Sequence, residues 1–296
     1  MKSHLLPKTI KTFQKSFNLN YNTLLSDSNP KTQKSTIKTY ILHLSPSDSS
    51  GVINICKSAF NCKKLCLHRS GNPKFLNSKI KSRINKTIAF DYSQNDFMNL
   101  LILSIIRNYR KNNSLKTAFR MNGTSDILFE NIQIYIPVSL SDFIYNKFSF
   151  NINSGYYSNI FEIFKHEKNI IFYDYTKEKR EFKNLLNEYN YHLTFSFDGA
   201  NNIVNTNRCY EAIDQNVNIA ACIHLKKSQL LPTTFYSEIF NKQFSVIDGD
   251  NERGDMRFLD PKNKLVLLKF KKPYNIEYTK HCLLYTSDAA DDFDCV

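Results

Sequence analysis

The chain has 296 residues, is 42% hydrophobic, lacks tryptophan and carries a formal net charge of +13. That length allows one large domain or two small ones, and the absence of any run of about eighteen apolar residues argues against a membrane span. Leu5-Leu6 runs straight into Pro7 and Lys8, so no signal-peptide core is present and a reducing cytoplasm is the expected compartment.

Residues 1–36 are polar and basic, and read as a loosely ordered arm; a short helix packed on the main domain is the rival reading. Residues 37–275 read as a single α/β domain. Its first strand is Thr39-Tyr-Ile-Leu-His-Leu44. Cys56-Lys-Ser-Ala-Phe-Asn-Cys62-Lys-Lys-Leu-Cys66 follows, three of the seven cysteines spaced C-x5-C-x3-C. Helices are expected over 74–88, with Phe75, Ile80, Ile84 and Ile88 near helical spacing, and over 94–111, where Phe97, Leu100, Leu101, Ile105 and Ile106 build a wide apolar face.

From there short apolar runs end in polar residues and helical stretches follow. The runs begin at Thr117, Asn169, Tyr191, Val217, Phe244 and Lys264. Strands alternating with helices predict a mostly parallel sheet, a complete or partial (β/α) barrel of about six to eight strands. Residues 131–155 break the repeat and read as an insertion. Leu283 to Asp292 departs from the Lys/Asn-rich composition and reads like a translated sequencing adapter, so 283–296 are expected to be an artefact.

The cysteine run carries the most specific chemistry. Thiolates are soft ligands, and three on one loop can hold an iron–sulfur cluster or a zinc ion. The ordinary alternative is that cysteines are buried as small hydrophobes, which the interleaved Lys57, Lys63 and Lys64 disfavour. Cys209, Cys222, Cys282 and Cys295 stand apart and default to structural or incidental roles.

In parallel α/β folds ligands sit at the carboxyl ends of the strands. Asn122, Thr124, Ser125 and Asp126 follow one strand; Asp174, Tyr175, Thr176 and Lys177 end another; Thr194 and Ser196 lie near the end of a third; Asp248 and Asp250 follow a later one. Each has a plain reading as a turn, a helix cap or a solvated residue. Together with the cysteines they favour one shared mouth. Asp255 and Arg257 read as an ion pair bracing the last loop, and His192 and His224 as structural histidines.

Residues 30–270 resemble the phage gene-product-88 family. The matching pieces occur in order: Asn29-Pro-Lys-Thr32, Ile41-Leu-His-Leu-Ser-Pro46, the three cysteines, Met121-Asn-Gly-Thr-Ser-Asp126, Phe172-Tyr-Asp-Tyr-Thr-Lys177, Tyr191-His-Leu-Thr-Phe-Ser196, Val246-Ile-Asp-Gly-Asp250, Asp255 and Arg257-Phe-Leu-Asp-Pro261. Lys57 stands where the family has proline, and Ser70-Gly-Asn-Pro73 where it has Gly-Arg-Gly, which leaves the loop's conformation open but keeps the sulfurs. His68 is not carried over as a ligand.

A three-cysteine loop after the first barrel strand also looks like the radical S-adenosylmethionine proteins, whose usual spacing is C-x3-C-x2-C. That resemblance implies a 4Fe-4S cluster on Cys56, Cys62 and Cys66, with one iron left for S-adenosylmethionine, whose reductive cleavage gives a radical. Asn122, Ser125 and Asp126 would contact S-adenosylmethionine or substrate. Asp174, Thr176, Lys177 and Ser196 would line the cavity. Two rivals stay open: a zinc-binding structural module with His68 as fourth ligand, and a basic nucleic-acid-binding phage protein.

Overall fold

Ile170–Thr176 reads Ile-Ile-Phe-Tyr-Asp-Tyr-Thr, a run of β-branched and aromatic residues bounded by polar segments, and it forms an inner strand of the sheet. The computed structural model describes residues 5–27, 36–64, 66, 68, 75–223, 230–251 and 254–269. The strands are β1 (Leu25–Ser26), β2 (Lys38–Leu42), β3 (Thr117–Arg120), β4 (Ile134–Ile136), β5 (Gly155–Tyr157) and β6 (Ile170–Thr176). They continue as β7 (Tyr191–Ser196), β8 (Ile219–Ile223), β9 (Thr234–Ser237), β10 (Lys242–Asp248) and β11 (Leu265–Lys269). The helices are α1 (Lys8–Ser16), α2 (Asn61–Lys64), α3 (Leu76–Tyr92), α4 (Gln94–Lys111), α5 (Val138–Phe148), α6 (Ile160–Phe164), α7 (Phe182–Tyr189) and α8 (Ile203–Asp214).

Nine strands form one sheet in the order β1-β2-β3-β6-β7-β8-β11-β10-β9. The pairs from β2 through to β10 are parallel, and antiparallel β1 and β9 close the two edges. The ladder is open among the described residues. The expected mostly parallel α/β sheet is therefore present, with nine strands rather than six to eight because β1 and β9 add antiparallel edges.

The two faces of the sheet differ. Phe119, Phe172, Tyr191, Phe195 and Leu265 join one large core with residues of α1 and α3 to α8. Ala118, Ile171 and Tyr173 alternate to the other face and meet Met256 and Phe258 instead. The helices thus cover one face, while the segment around the 3-10 turn Arg257–Leu259 covers part of the other. Helix α4 is buried along most of its length, as its wide apolar face required.

Several expectations are corrected. Residues 5–27 of the N-terminal arm are folded: Ile10 and Phe13 of α1 are buried, and β1 pairs with β2. Helix α3 turns Lys86, Thr87, Ala89 and Phe90 inward, with Thr87 Oγ1 accepting the backbone N–H of Ser45, while Phe75 is exposed and Ile84 and Ile88 are only half-buried. Asp255 pairs with Arg120 on β3, and Arg257 with Asp260, so the Asp255–Arg257 pair does not form. The 131–155 insertion holds β4 and α5, and β4 pairs antiparallel with β5. His224, Cys282, Cys295 and residues 283–296 lie outside the described residues.

Candidate metal centre

The loop after β2 is held by groups beyond the carboxyl ends of β3 and β7 and by a side chain of α8. Asp198, two residues past β7, accepts the backbone N–H of Phe60 and Asn61 on Oδ2 at 3.1 and 3.0 Å, and that of Cys62 on Oδ1 at 2.9 Å. A carboxylate there satisfies the orphan donors that begin α2. Arg208 of α8 donates from Nη1 to Ser58 Oγ at 2.6 Å and to the Lys177 carbonyl at 2.9 Å. From β3, the N–H of Asp126 reaches the Ile55 carbonyl at 3.0 Å. Gly123 makes the approach feasible: a Cβ there would lie 2.4 Å from Ile41 Cγ2 and 2.6 Å from the Leu42 carbonyl.

These anchors bring the three thiols into one region. Each is half-buried, and ionisation of any one of Cys56, Cys62 and Cys66 would be opposed by burial first. Asp126 acts on Cys56 and Cys62, Lys177 and Asp198 on Cys62, and Arg83 on Cys66. Burial pushes the Cys56 thiol up to about 12 and Cys66 to about 11. Burial also raises Cys62, with Lys177 opposing it. Metal uptake at such thiols has to displace protons. Among the described residues no three His, Cys, Asp or Glu side chains gather as a group that could hold a metal ion. The N–H of His68 donates to Cys66 Sγ at 3.5 Å, while His68 Nδ1 lies 3.0 Å from Arg83 Nη1.

The seven polar residues expected to line the mouth divide into two groups. Asn122 is buried and fully engaged: its side chain donates to the Ile127 carbonyl and to Asp174, and accepts from Ser125 Oγ and the Ile127 N–H. Asp126 accepts from Thr176 Oγ1 at 2.8 Å, from the Lys177 N–H at 2.7 Å and from Arg180 Nη2 at 3.1 Å. Asp174 accepts from the Asn122 N–H at 2.6 Å and Tyr191 OH at 2.7 Å; burial raises its carboxyl to about 7. Asn122, Ser125, Asp126, Asp174 and Thr176 therefore knit strand ends together. Lys177 and Ser196 differ: the Lys177 ammonium donates to Ser196 Oγ and lies 4.0 Å from Asp198 Oδ1, beside the cysteine loop.

Sequence reasoning missed Asp198 and Arg208 as anchors. It also missed the cluster at the ends of β3 and β6, where Asp255 accepts from Arg120 Nη1 at 2.7 Å and Tyr175 OH at 3.2 Å. Asp198-Gly199 after a strand was the available signal for the first anchor; Arg208, mid-helix, gave none. His43, beside Gly123, is held neutral: burial and then Arg83 and Arg120 lower it to about 3.

The gene product 88 family model matches residues 15–285, most of the chain. The chain belongs to the gene product 88 family. No curated protein and no solved structure matches it. The match to gene product 88 spans every element from β1 to β11, the cysteine loop and its anchors Asp126, Asp198 and Arg208. No helix among the described residues is long and apolar enough to cross a membrane.

Proposed function

We propose that this gene product 88 protein is an iron–sulfur protein of phage type, with a 4Fe-4S cluster on Cys56, Cys62 and Cys66, acting as a radical S-adenosylmethionine enzyme in the cytoplasm of an infected cell. One observation carries the reading. Asp198, Arg208 and Asp126 bind the loop that carries all three half-buried thiols across the carboxyl ends of the strands.

The donors on the loop are of the soft type that such a cluster takes. Three half-buried soft ligands sit beside cationic Lys177 and Arg83, which offset the negative charge of metal-bound thiolates. We read the open parallel sheet, helices on one face and Phe258 against the other, as a partial (β/α) barrel. When bound, such a cluster supplies one-electron reduction of S-adenosylmethionine. The chain's own residues hold and orient: Asp198 fixes α2, Arg208 fixes Ser58, and Lys177 with Ser196 presents donors to a ligand at the mouth. Asn122, Ser125, Asp126, Asp174 and Thr176 keep those strand ends in register.

Anaerobic purification with iron, sulfide and zinc quantification tests this. About four irons and four sulfides per chain are expected, lost when Cys56, Cys62 and Cys66 are all changed to Ser. One zinc per chain without sulfide would replace the cluster by the structural zinc site. Steeply salt-dependent nucleic-acid binding that survives the triple change would favour the basic binding protein instead.

A further inference from the structure

Arg120 ends β3, two residues past Ala118, and so turns to the sheet face away from the helices. Its neighbours in register are Ile41 on β2 and Tyr173 on β6. Two contacts fix the guanidinium. Nη1 donates to Asp255 Oδ2 at 2.7 Å, and Cζ stands over the Tyr175 ring, 4.8 Å from its centroid. The opposite edge carries Nε and Nη2. Nε is buried without a hydrogen-bond partner, and Nη2 forms no hydrogen bond either, among the described residues. Buried donors are rarely left unmade, so this edge calls for an acceptor. On the adjacent strand Leu42 enters the helix-side core, as does Leu44 beyond it, which turns His43 between them to the face of Arg120. The imidazole leans on the continuation of β3: its Nδ1 stands 2.7 Å from where a Cβ on Gly123 would be. That Nδ1 is also buried and unpartnered among the described residues. Arg83, Arg120, Lys86 and Lys79 place positive charge around the ring.

We propose that the Nε–Nη2 edge of Arg120, with His43 next to it on the same face, binds an oxyanion: the carboxylate or phosphate group of a small molecule. Two parallel N–H donors in one plane match two oxygens of either group. A neutral imidazole adds one more N–H, on whichever nitrogen meets the ligand. Asp255 does not compete for this edge. It sits on Nη1, and its charge is shared with the hydroxyls of Tyr175 and Tyr173 at 3.2 and 3.5 Å. Asp255 and the Tyr175 ring hold the fork in place before a ligand arrives, which lowers the entropy lost on binding. The site needs no metal and stands apart from the iron–sulfur reading.

The test titrates the full chain with inorganic phosphate and, separately, with acetate. Calorimetry reads affinity, and heteronuclear NMR of the histidine rings reads His43, whose signals are assigned by their loss in His43→Ala. Wild type should bind at least one of the two anions saturably, with a shift of the His43 ring signals. Arg120→Lys keeps a charge for Asp255 but loses the planar fork, and should bind at least about tenfold more weakly. Binding of phosphate alone marks a phosphate ligand, and binding of acetate alone a carboxylate. If Arg120→Lys does not fold, the His43 shift in wild type and weaker binding by His43→Ala decide. Wild type that binds neither anion saturably overturns the inference. So does binding that leaves the His43 signals unmoved and is as tight in the variants. No cysteine takes part, so iron and sulfide content tests the cluster separately.

Discussion

The Asp198 carboxylate accepts the backbone N–H of Cys62 at 2.9 Å, across 136 residues of sequence. The same side chain holds the N–H groups of Phe60 and Asn61. Asp198→Ala leaves all three without their acceptor at once. Hydrogen bonds to a charged group contribute about 1.5–3 kcal/mol each, and water can replace part of that at a half-exposed loop, so a loss of about 3 kcal/mol is expected. Asp198→Asn keeps one acceptor oxygen and should lose less. Denaturant midpoints of the three proteins check the order; an Asp198→Ala protein as stable as wild type would deny the anchor.

Asp174 gives the fold a pH dependence of known sign. Its carboxyl is fully buried, and burial raises it to about 7, with Tyr191 and the Asn122 N–H opposing the rise. An unfolded aspartate titrates near 3.9. The native state therefore binds this proton more tightly, and the stability it contributes is complete below about pH 4 and lost as pH rises through about 7. The total is about 4 kcal/mol by order of magnitude. Urea unfolding of wild type and Asp174→Asn at pH 5 and pH 8 isolates the effect: the wild type should lose more stability over that interval. Parallel behaviour of the two proteins would refute it.

Arg120 and Asp255 form an ion pair at 2.7 Å, with Asp255 buried and also held by Tyr175 OH. The pair ties the segment bearing Met256 and Phe258 to the sheet. Removing one partner strands the other in a site with little water. Arg120→Met and Asp255→Leu should each cost about 3–5 kcal/mol, and the double variant should cost clearly less than their sum. A double-mutant cycle with strictly additive losses would show that the pair is not coupled.

The sheet was legible because its strands are short apolar runs such as Ile170–Phe172 and Tyr191–Phe195, each set off by polar residues and followed by helical spacing. Helix α4 was legible for the same local reason. The role of Asp126 and Thr176 was not, since a hydroxyl and a carboxylate at two strand ends look the same whether they meet a ligand or each other. Nor did the nearness of Asp255 to Arg257 predict that Asp255 would cross 135 residues to Arg120.

The chain order of residues alone determined the gene product 88 resemblance, the parallel α/β class and the three thiols on one loop. Those are local properties, written in periodicity, composition and spacing. Tertiary structure decided which strand-end groups meet the cysteine loop: Asp198 holds the Cys62 N–H and Lys177 donates to Ser196, while Asn122 and Asp174 turn to each other. The physical reason is the order in which the parallel strands pair, which gathers the segments beyond their carboxyl ends and joins residues far apart in sequence.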